Sequence, residues 1–242
     1  MKKFFLMLVM AVFSHTSMAS GSLTMGYHDL SNNLEILYNH SDEYKMNADA
    51  RMVVVALDIY GDIGESDWVY ILSGKSSVSA DGIDSDFDEA DWYSAGAGFG
   101  YKVGRETTII AQALIEKSEF TGVNNRYEED VQSIQVMFWR ELYSARGWGA
   151  KVGVGGHISL SDSHSDFDGD RFDIETKTSG AIFEAAATYQ ADIFKFEMGY
   201  RFRNYAAIGS DEVSSPNLTA DIRTDDFTGY DHGLYAGAVV NF

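Results

Sequence analysis

Two pairs of polar residues have the side-chain types that hydrolytic chemistry uses. His157 and Ser159 lie two positions apart, so their side chains share one face if the segment is a β-strand. A histidine beside a serine hydroxyl is the pairing of a general base with a nucleophile. Asp231 and His232 are adjacent, and a strand would turn their side chains to opposite faces and prevent a hydrogen bond between them. We expect neither pair to be catalytic and the protein not to be an enzyme.

Aspartates recur at alternate positions in two polar segments, and this spacing could bind calcium or magnesium through carboxylate oxygens. An EF-hand loop does not fit, because the sixth position counted from Asp84 or Asp166 is Glu89 or Arg171, where that loop requires glycine. We expect solvated surface charges and no bound cofactor, with divalent ions bridging these loops to lipopolysaccharide as the weaker alternative. The aspartates concerned are Asp84, Asp86, Asp88, Asp166, Asp168 and Asp170.

The composition excludes several other chemistries. The 242 residues include no cysteine, which removes disulfide frameworks, thiolate zinc sites and cysteine nucleophiles. With 18 basic and 37 acidic residues, the net charge of -19 argues against binding to nucleic acid, because no basic stripe is present to contact phosphates. A content of 23 glycines, one proline and 14% aromatic residues favours long β-strands joined by short turns.

The first nineteen residues are typical of a secretory signal. Lys2 and Lys3 precede an apolar run from Phe4 to Phe13, and Ser17 and Ala19 supply the small residues of a cleavage site. The apolar run is too short to cross about 30 Å of hydrocarbon as a helix. The sequence therefore predicts a signal peptide over residues 1–19 and one exported domain over residues 20–242.

Alternation with a period of two dominates the exported domain. Between residues 193 and 205, aromatic side chains and a methionine lie on one face, while charged residues and a glycine lie on the other. Similar segments predict ten strands, with eight as the alternative, and the opening strand is either 22–30 or 33–39. The predicted strands are 22–30, 49–60, 68–77, 92–103, 107–117, 131–143, 148–160, 180–190, 193–205 and 231–242.

Short and long connections alternate along this series. Tight turns are predicted near 61–65, 104–106, 144–147 and 190–192, and long polar segments at 39–48, 78–91, 118–130, 161–179 and 206–230. This asymmetry is typical of barrels that place short turns in the periplasm and long loops outside the cell. We therefore expect a monomeric transmembrane antiparallel up-and-down β-barrel in a Gram-negative outer membrane, in contact with lipid and lipopolysaccharide. Aromatic girdles are expected from Trp68, Trp92, Tyr93, Trp148 and Tyr205.

The strand phases place charged side chains inside the barrel. These charges form either a salt-bridge network that fills a narrow interior or the lining of a small selective pore. The filled interior is the preferred reading. The residues predicted to face the lumen are Lys102, Glu116, Glu141, Lys151, Glu184, Lys195, Glu197, Arg201 and Arg203.

The end of the chain resembles the terminal strand of bacterial outer-membrane barrels, with Gly237, Val240 and Phe242 at the matching positions and Ala236 where a polar residue is usual. The resemblance implies recognition by the barrel-assembly machinery. The run Gly199 to Phe202 is similar to one in small barrels of the OmpA, OmpX and YfaZ type, a superfamily whose function is poorly defined. Relative to an eight-stranded member, this chain carries an extra hairpin over 148–190.

Two further resemblances concern enzymes. The spacing of His157 and Ser159 resembles the histidine-x-serine of outer-membrane lipid A deacylases, although Leu160 replaces the asparagine of that pattern. Asp231 and His232 resemble part of the omptin protease site, but the chain lacks, by this count, the length with which omptins raise their strands above the membrane. The expected function is therefore a structural barrel or narrow porin-like channel for small solutes, with a surface adhesin or receptor as the alternative and a lipid or peptide hydrolase as the least favoured.

Overall fold

The fold is an antiparallel β-structure, seen in a computed structural model that describes residues 19–38, 42–63, 66–82, 88–167, 170–192, 194–208, 211–214 and 222–241. No helix in these ranges is long and apolar enough to cross a membrane. The strands are β1 Ala19–Tyr38, β2 Asp42–Asp62, β3 Trp68–Gly82, β4 Glu89–Lys102, β5 Thr107–Thr121, β6 Asn125–Ala145, β7 Trp148–Phe167, β8 Asp170–Ala191, β9 Phe194–Ala207, β10 Asp211–Ser214 and β11 Ile222–Asn241.

Ten of these strands close into a barrel. Each strand from β1 to β9 pairs with its neighbour in sequence, β9 pairs with β11, and β11 pairs back with β1. The short strand β10 lies between β8 and β11, beyond the end of β9. The predicted ten-stranded closed barrel is confirmed, and the eight-stranded alternative is wrong.

The two faces of each strand differ as the alternation predicts. Along β9, Phe196 and Met198 are 51% and 64% exposed on the outer surface, whereas Gly199 is buried and Glu197 and Arg201 face the interior. Large apolar side chains on the outside of a closed sheet require an apolar solvent, which in this fold is the hydrocarbon of a bilayer.

Several strands are much longer than the bilayer requires. A strand of 20 residues such as β7 is about 66 Å long and, at a tilt near 40°, rises about 50 Å, twice the ~25 Å apolar band of such barrels. On β5 and β6 the apolar outer face ends at Ile115 and Ile134, and the next layers contain the ion pairs Lys117–Asp130 (3.4 Å) and Arg126–Glu119 (2.8 Å). The expectation that the chain cannot raise its strands above the membrane is therefore wrong.

This extension also settles the opening strand and shortens the loops. Both candidate ranges, 22–30 and 33–39, overlap the single strand β1, which pairs with β2 along its whole length. Much of the predicted loop 161–179 is strand in β7 and β8. The predicted strands ended where the outer face became polar, whereas the hydrogen-bonded ladder continues because backbone pairing does not depend on which solvent surrounds it.

The aromatic girdle prediction holds only in part. Trp68 packs against Tyr101 with ring centroids 5.1 Å apart, and Trp148 against Tyr189 at 4.8 Å, both pairs tilted and near the ends of strands next to short turns. Trp92 instead packs inside the barrel, because adjacent residues of a strand point to opposite faces and its neighbour Tyr93 points outward. Tyr205 also has inward phase, on the face of β9 that carries Arg203. Residues 1–18 of the predicted signal peptide, which spans 1–19, lie outside the described residues, so the signal peptide and its cleavage stay a prediction.

The outer-face assignment gives a depth-dependent prediction. Met198→Arg places a charge near the middle of the apolar band and should lower the free energy of unfolding by about 2–4 kcal/mol. Phe194→Arg, near the periplasmic end of the same face, should cost about 0–1 kcal/mol for the charge. Urea unfolding in lipid vesicles, followed by tryptophan fluorescence, measures both. Equal costs at the two positions would contradict a membrane spanned by this part of β9.

Candidate functional site

The barrel interior brings together side chains from strands that are distant in sequence. We call the lumen network the set of inward groups joined by ion pairs or hydrogen bonds near the middle and periplasmic half of the barrel. It consists of Glu116, Lys151, Glu184, Lys195, Glu197, Arg203 and Tyr235.

Glu197 on β9 is the centre of the periplasmic half of the network. Its carboxylate lies 2.9 Å from Lys151 Nζ and 3.2 Å from Lys195 Nζ, and its side chain is only 14% exposed. Lys151 also lies over the Trp139 ring, 5.0 Å from the centroid. The Tyr235 hydroxyl is 3.1 Å from the same carboxylate. One acid therefore fixes two lysines and a tyrosine in a restricted space.

A second acid joins this group through Tyr235. The tyrosine hydroxyl donates a hydrogen bond to Glu184 Oε1 at 2.7 Å, so the ring from β11 spans β9 to reach β8. A tyrosine is stiff and large, and two carboxylates hold its hydroxyl from different strands. The result is a cross-linked layer on one side of the lumen.

An ion pair crosses the lumen higher up. Glu116 Oε2 on β5 accepts a hydrogen bond from Arg203 Nη1 on β9 at 3.0 Å. In the circular order of ten strands, β5 and β9 are four places apart, so the two side chains extend from nearly opposite walls. Their side chains are 13% and 21% exposed, which means that little water surrounds them. This contact bridges the cross-section of the barrel.

A small cavity of about 100 Å³ remains beside this bridge. Polar amides form part of its wall: Gln112 Nε2 donates to Ser73 Oγ at 2.6 Å, and Gln135 Nε2 donates to Gln112 Oε1 at 3.3 Å. The residues that line it are Asp58, Ile71, Ser73, Lys75, Trp92, Ser94, Gln112, Leu114, Glu116, Gln135 and Arg201.

An apolar layer lies on the extracellular side of the cavity. Met52 and Val54 of β2 and Ala90 of β4 are buried against one another, and Trp92 and Phe120 pack on them from β4 and β5. Buried apolar side chains exclude water from this part of the interior. The lumen therefore contains an apolar layer above a layer of paired charges.

The predicted lumen charges divide into two groups in the structure. Six of the nine belong to the network, and Arg201 lines the cavity. Lys102 and Glu141 lie exposed near the periplasmic turns, and Lys102 Nζ pairs with Asp62 Oδ1 at 2.6 Å.

Sequence reasoning missed three inward groups, Asp58, Lys75 and Tyr235. Asp58 follows an apolar run on both faces of β2, which hid the phase of that strand. Lys75 lies in a serine-rich segment without clear alternation. Tyr235 resembles an outward aromatic residue, and only its odd-numbered position, two before Gly237, indicated an inward phase.

The candidate hydrolytic pairs have separate environments. His157 Nδ1 and Ser159 Oγ are 2.9 Å apart, and His157 Nε2 lies 3.0 Å from the Asn204 backbone oxygen, which accepts a hydrogen bond only from a protonated Nε2. His157 and Ser159 are 6% and 5% exposed, which leaves no room for a substrate. His232 lies beside the rings of Tyr200 and Tyr230, with centroids 6.0 and 5.8 Å away. The Asp231 side chain lies outside the described side chains.

The acidic segments fall largely outside the described side chains. Asp84, Asp86 and Asp168 are not described, and of Asp170 only the backbone is. Where side chains are described, no three of His, Asp and Glu approach closely enough to hold a metal ion. The divalent-ion hypothesis therefore stays a prediction.

The predicted assembly signal lies on the closing strand. Gly237 pairs with Gly26 of β1, and a Cβ at Gly237 would approach the Met25 carbonyl oxygen to 3.1 Å. Val240 pairs with Leu23 of β1. Phe242 lies outside the described residues, and recognition by an assembly machinery stays a prediction.

Comparison with known proteins gives structural relatives only. No family model and no curated protein matches the chain. The outer membrane protease OmpT from Escherichia coli superposes with a TM-score of 0.60 at 9% identity, over 93% of this chain and 97% of that one. The translocator domain of autotransporter NalP from Neisseria meningitidis gives a TM-score of 0.46 at 10% identity, over 100% and 95%. Neisserial surface protein A gives 0.36 at 13%, over 93% and 99%.

The OmpT likeness shows a shared fold. Together with the closed sheet and its apolar outer face, it identifies the chain as an integral β-barrel of the bacterial outer membrane, so the predicted fold and location are confirmed.

The network gives a prediction with a matched control. Glu197→Gln leaves two lysines without their carboxylate and should lower the free energy of unfolding by about 3 kcal/mol, because unpaired charges in a confined interior are costly. Glu141→Gln makes the same chemical change at an exposed site and should alter stability by less than about 0.5 kcal/mol. Urea unfolding of both refolded variants measures the difference. Equal effects would show that Glu197 is no more important than a rim residue.

Proposed function

We propose that the protein is a non-enzymatic outer-membrane barrel whose lumen is closed by its own side chains, so that it acts as a structural barrel. The observation that supports this proposal best is the Glu116–Arg203 ion pair at 3.0 Å across the lumen. An open porin keeps a water-filled path, whereas here long side chains from opposite walls meet.

Further contacts support closure along the axis of the barrel. The Glu197 and Tyr235 cluster narrows the periplasmic half, and the apolar layer around Met52 and Phe120 narrows the extracellular half. An apolar constriction opposes ion passage, because a hydrated ion would lose its water there without gaining polar groups in return. A narrow channel for small solutes is the alternative within the same class, with the lumen charges as its lining.

Binding at the cell surface is a second candidate function. It is favoured by the strands that rise beyond the apolar band, whose outer faces carry charged residues such as Glu128, Asp130 and Asp162. A projecting, charged β-surface offers an adhesin or receptor a rigid contact area. This role is compatible with a closed lumen.

We further propose that lipid and lipopolysaccharide surround the apolar band and that the barrel-assembly machinery recognises the terminal strand. In this proposal the barrel is monomeric and has no cofactor. The run Gly199 to Phe202 supports kinship with barrels of the OmpA, OmpX and YfaZ type. The burial of His157 and Ser159 supports the absence of hydrolase activity.

Planar-bilayer recordings of the purified barrel test closure. The wild-type protein should give no discrete conductance steps, and the double variant Glu116→Ala/Arg203→Ala should give them, because it removes the bridge across the lumen. The control Asp62→Ala/Lys102→Ala removes an exposed ion pair near a periplasmic turn and should stay silent.

Reproducible steps from the wild-type protein would overturn the structural proposal and favour the channel. The hydrolase alternative makes a separate prediction, that an acyl or peptide bond is cleaved by the wild type and not by His157→Ala. We expect no turnover of ester or peptide substrates by either protein.

A further inference from the structure

The cavity beside the Glu116–Arg203 bridge contains two cationic groups without a direct partner. Lys75 reaches it from β3 and Arg201 from β9. Among the residues that the structure describes, neither forms an ion pair or a side-chain hydrogen bond, whereas Lys151, Lys195 and Arg203 each have a carboxylate partner. Two cations that no acid contacts directly therefore face one small cavity.

The acids around the cavity lie near these cations without contacting them. Glu116 forms an ion pair with Arg203, although Lys75 and Arg201 also lie close enough to interact with its charge. Asp58 lies near Lys75 without touching it. The charges of the lining itself balance, with Lys75 and Arg201 against Asp58 and Glu116. Glu116, however, is bound to Arg203, and Glu184, the cross-strand neighbour of Arg201, accepts its hydrogen bond from Tyr235. No described carboxylate therefore contacts Lys75 or Arg201 directly.

Two hydroxyl groups at the cavity have protons available to donate. The Ser73 oxygen already accepts from Gln112, so its hydroxyl proton is left to donate. The Ser94 hydroxyl is buried, lines the cavity and has no hydrogen-bond partner among the described residues. A buried donor without an acceptor is costly unless water or a ligand accepts from it.

We propose that this cavity binds one small oxyanion, of the carboxylate or phosphate class. A planar guanidinium and a nearby ammonium are the groups that recognise such anions, and the hydroxyls of Ser73 and Ser94 provide further donors. A volume of about 100 Å³ holds an ion of a few heavy atoms with little water and excludes larger ones. This site is independent of whether the lumen conducts.

Titration calorimetry on the folded barrel in detergent, at constant ionic strength, tests the site with acetate and with inorganic phosphate. The wild type should bind at least one of them at a single site. Lys75→Met and Arg201→Met should each weaken that binding at least tenfold, and Lys102→Met, whose ammonium lies at the rim, should not change it. Arg201→Lys keeps the charge and should fall between the wild type and Arg201→Met. No saturable binding of either anion, or unchanged binding in both methionine variants, would overturn the proposal.

A second measurement is independent of the folding of any variant. Crystals of the wild-type barrel soaked in sodium selenate should give an anomalous selenium peak between Lys75 and Arg201. A peak only elsewhere on the protein, or none, would overturn the site. The recordings on Glu116→Ala/Arg203→Ala report on closure alone, so failure of this inference and failure of the proposed function can be told apart.

Discussion

The fold depends on one set of backbone contacts, the pairing of β1 with β11. This ladder runs from Ser22–Asn241 to Tyr38–Thr224 and joins the first and last strands of the barrel. Without it, both strands would present a row of unpaired N–H and C=O groups to lipid, where no water can satisfy them. The close approach of Gly26 to the Ala236 carbonyl, which a Cβ would block, shows how tightly the seam is packed. Closure therefore explains how the described strands can cross a membrane with their backbone groups satisfied.

Closure also determines what the interior must contain. Once the apolar residues of each strand face lipid, the polar residues of ten strands share one narrow space, and charges there must find partners or keep water. Glu197 and Glu116 meet this demand with Lys151, Lys195 and Arg203. The same demand leaves Lys75 and Arg201 beside a cavity. Structural filling and an anion site thus arise from one geometric constraint.

Much of this fold could be predicted from the sequence, because the alternation of apolar and polar residues reflects the two different surroundings of each strand. On β9 the aromatic residues and the charges separate cleanly, since lipid lies on one side and the lumen on the other. Prediction failed above the membrane, where water surrounds the outer face and the contrast between the two faces disappears. The upper parts of β7 and β8 therefore fell within the predicted loop 161–179. It also missed Asp58, because apolar residues occupy both faces of β2. The crossing of Glu116 to Arg203 follows from barrel closure and strand register, which no local pattern contains.

Site-directed spin labelling along β9 tests the central claim most directly, and the absence of native cysteine makes single-cysteine variants straightforward. Labels placed one at a time from residue 194 to residue 203, in reconstituted barrels, report their accessibility to oxygen dissolved in lipid and to a water-soluble nickel complex. The account predicts high oxygen accessibility at even positions and low accessibility at odd ones, repeating every two residues. Uniform accessibility, or a period near 3.6 residues, would contradict a sheet closed on itself within the bilayer.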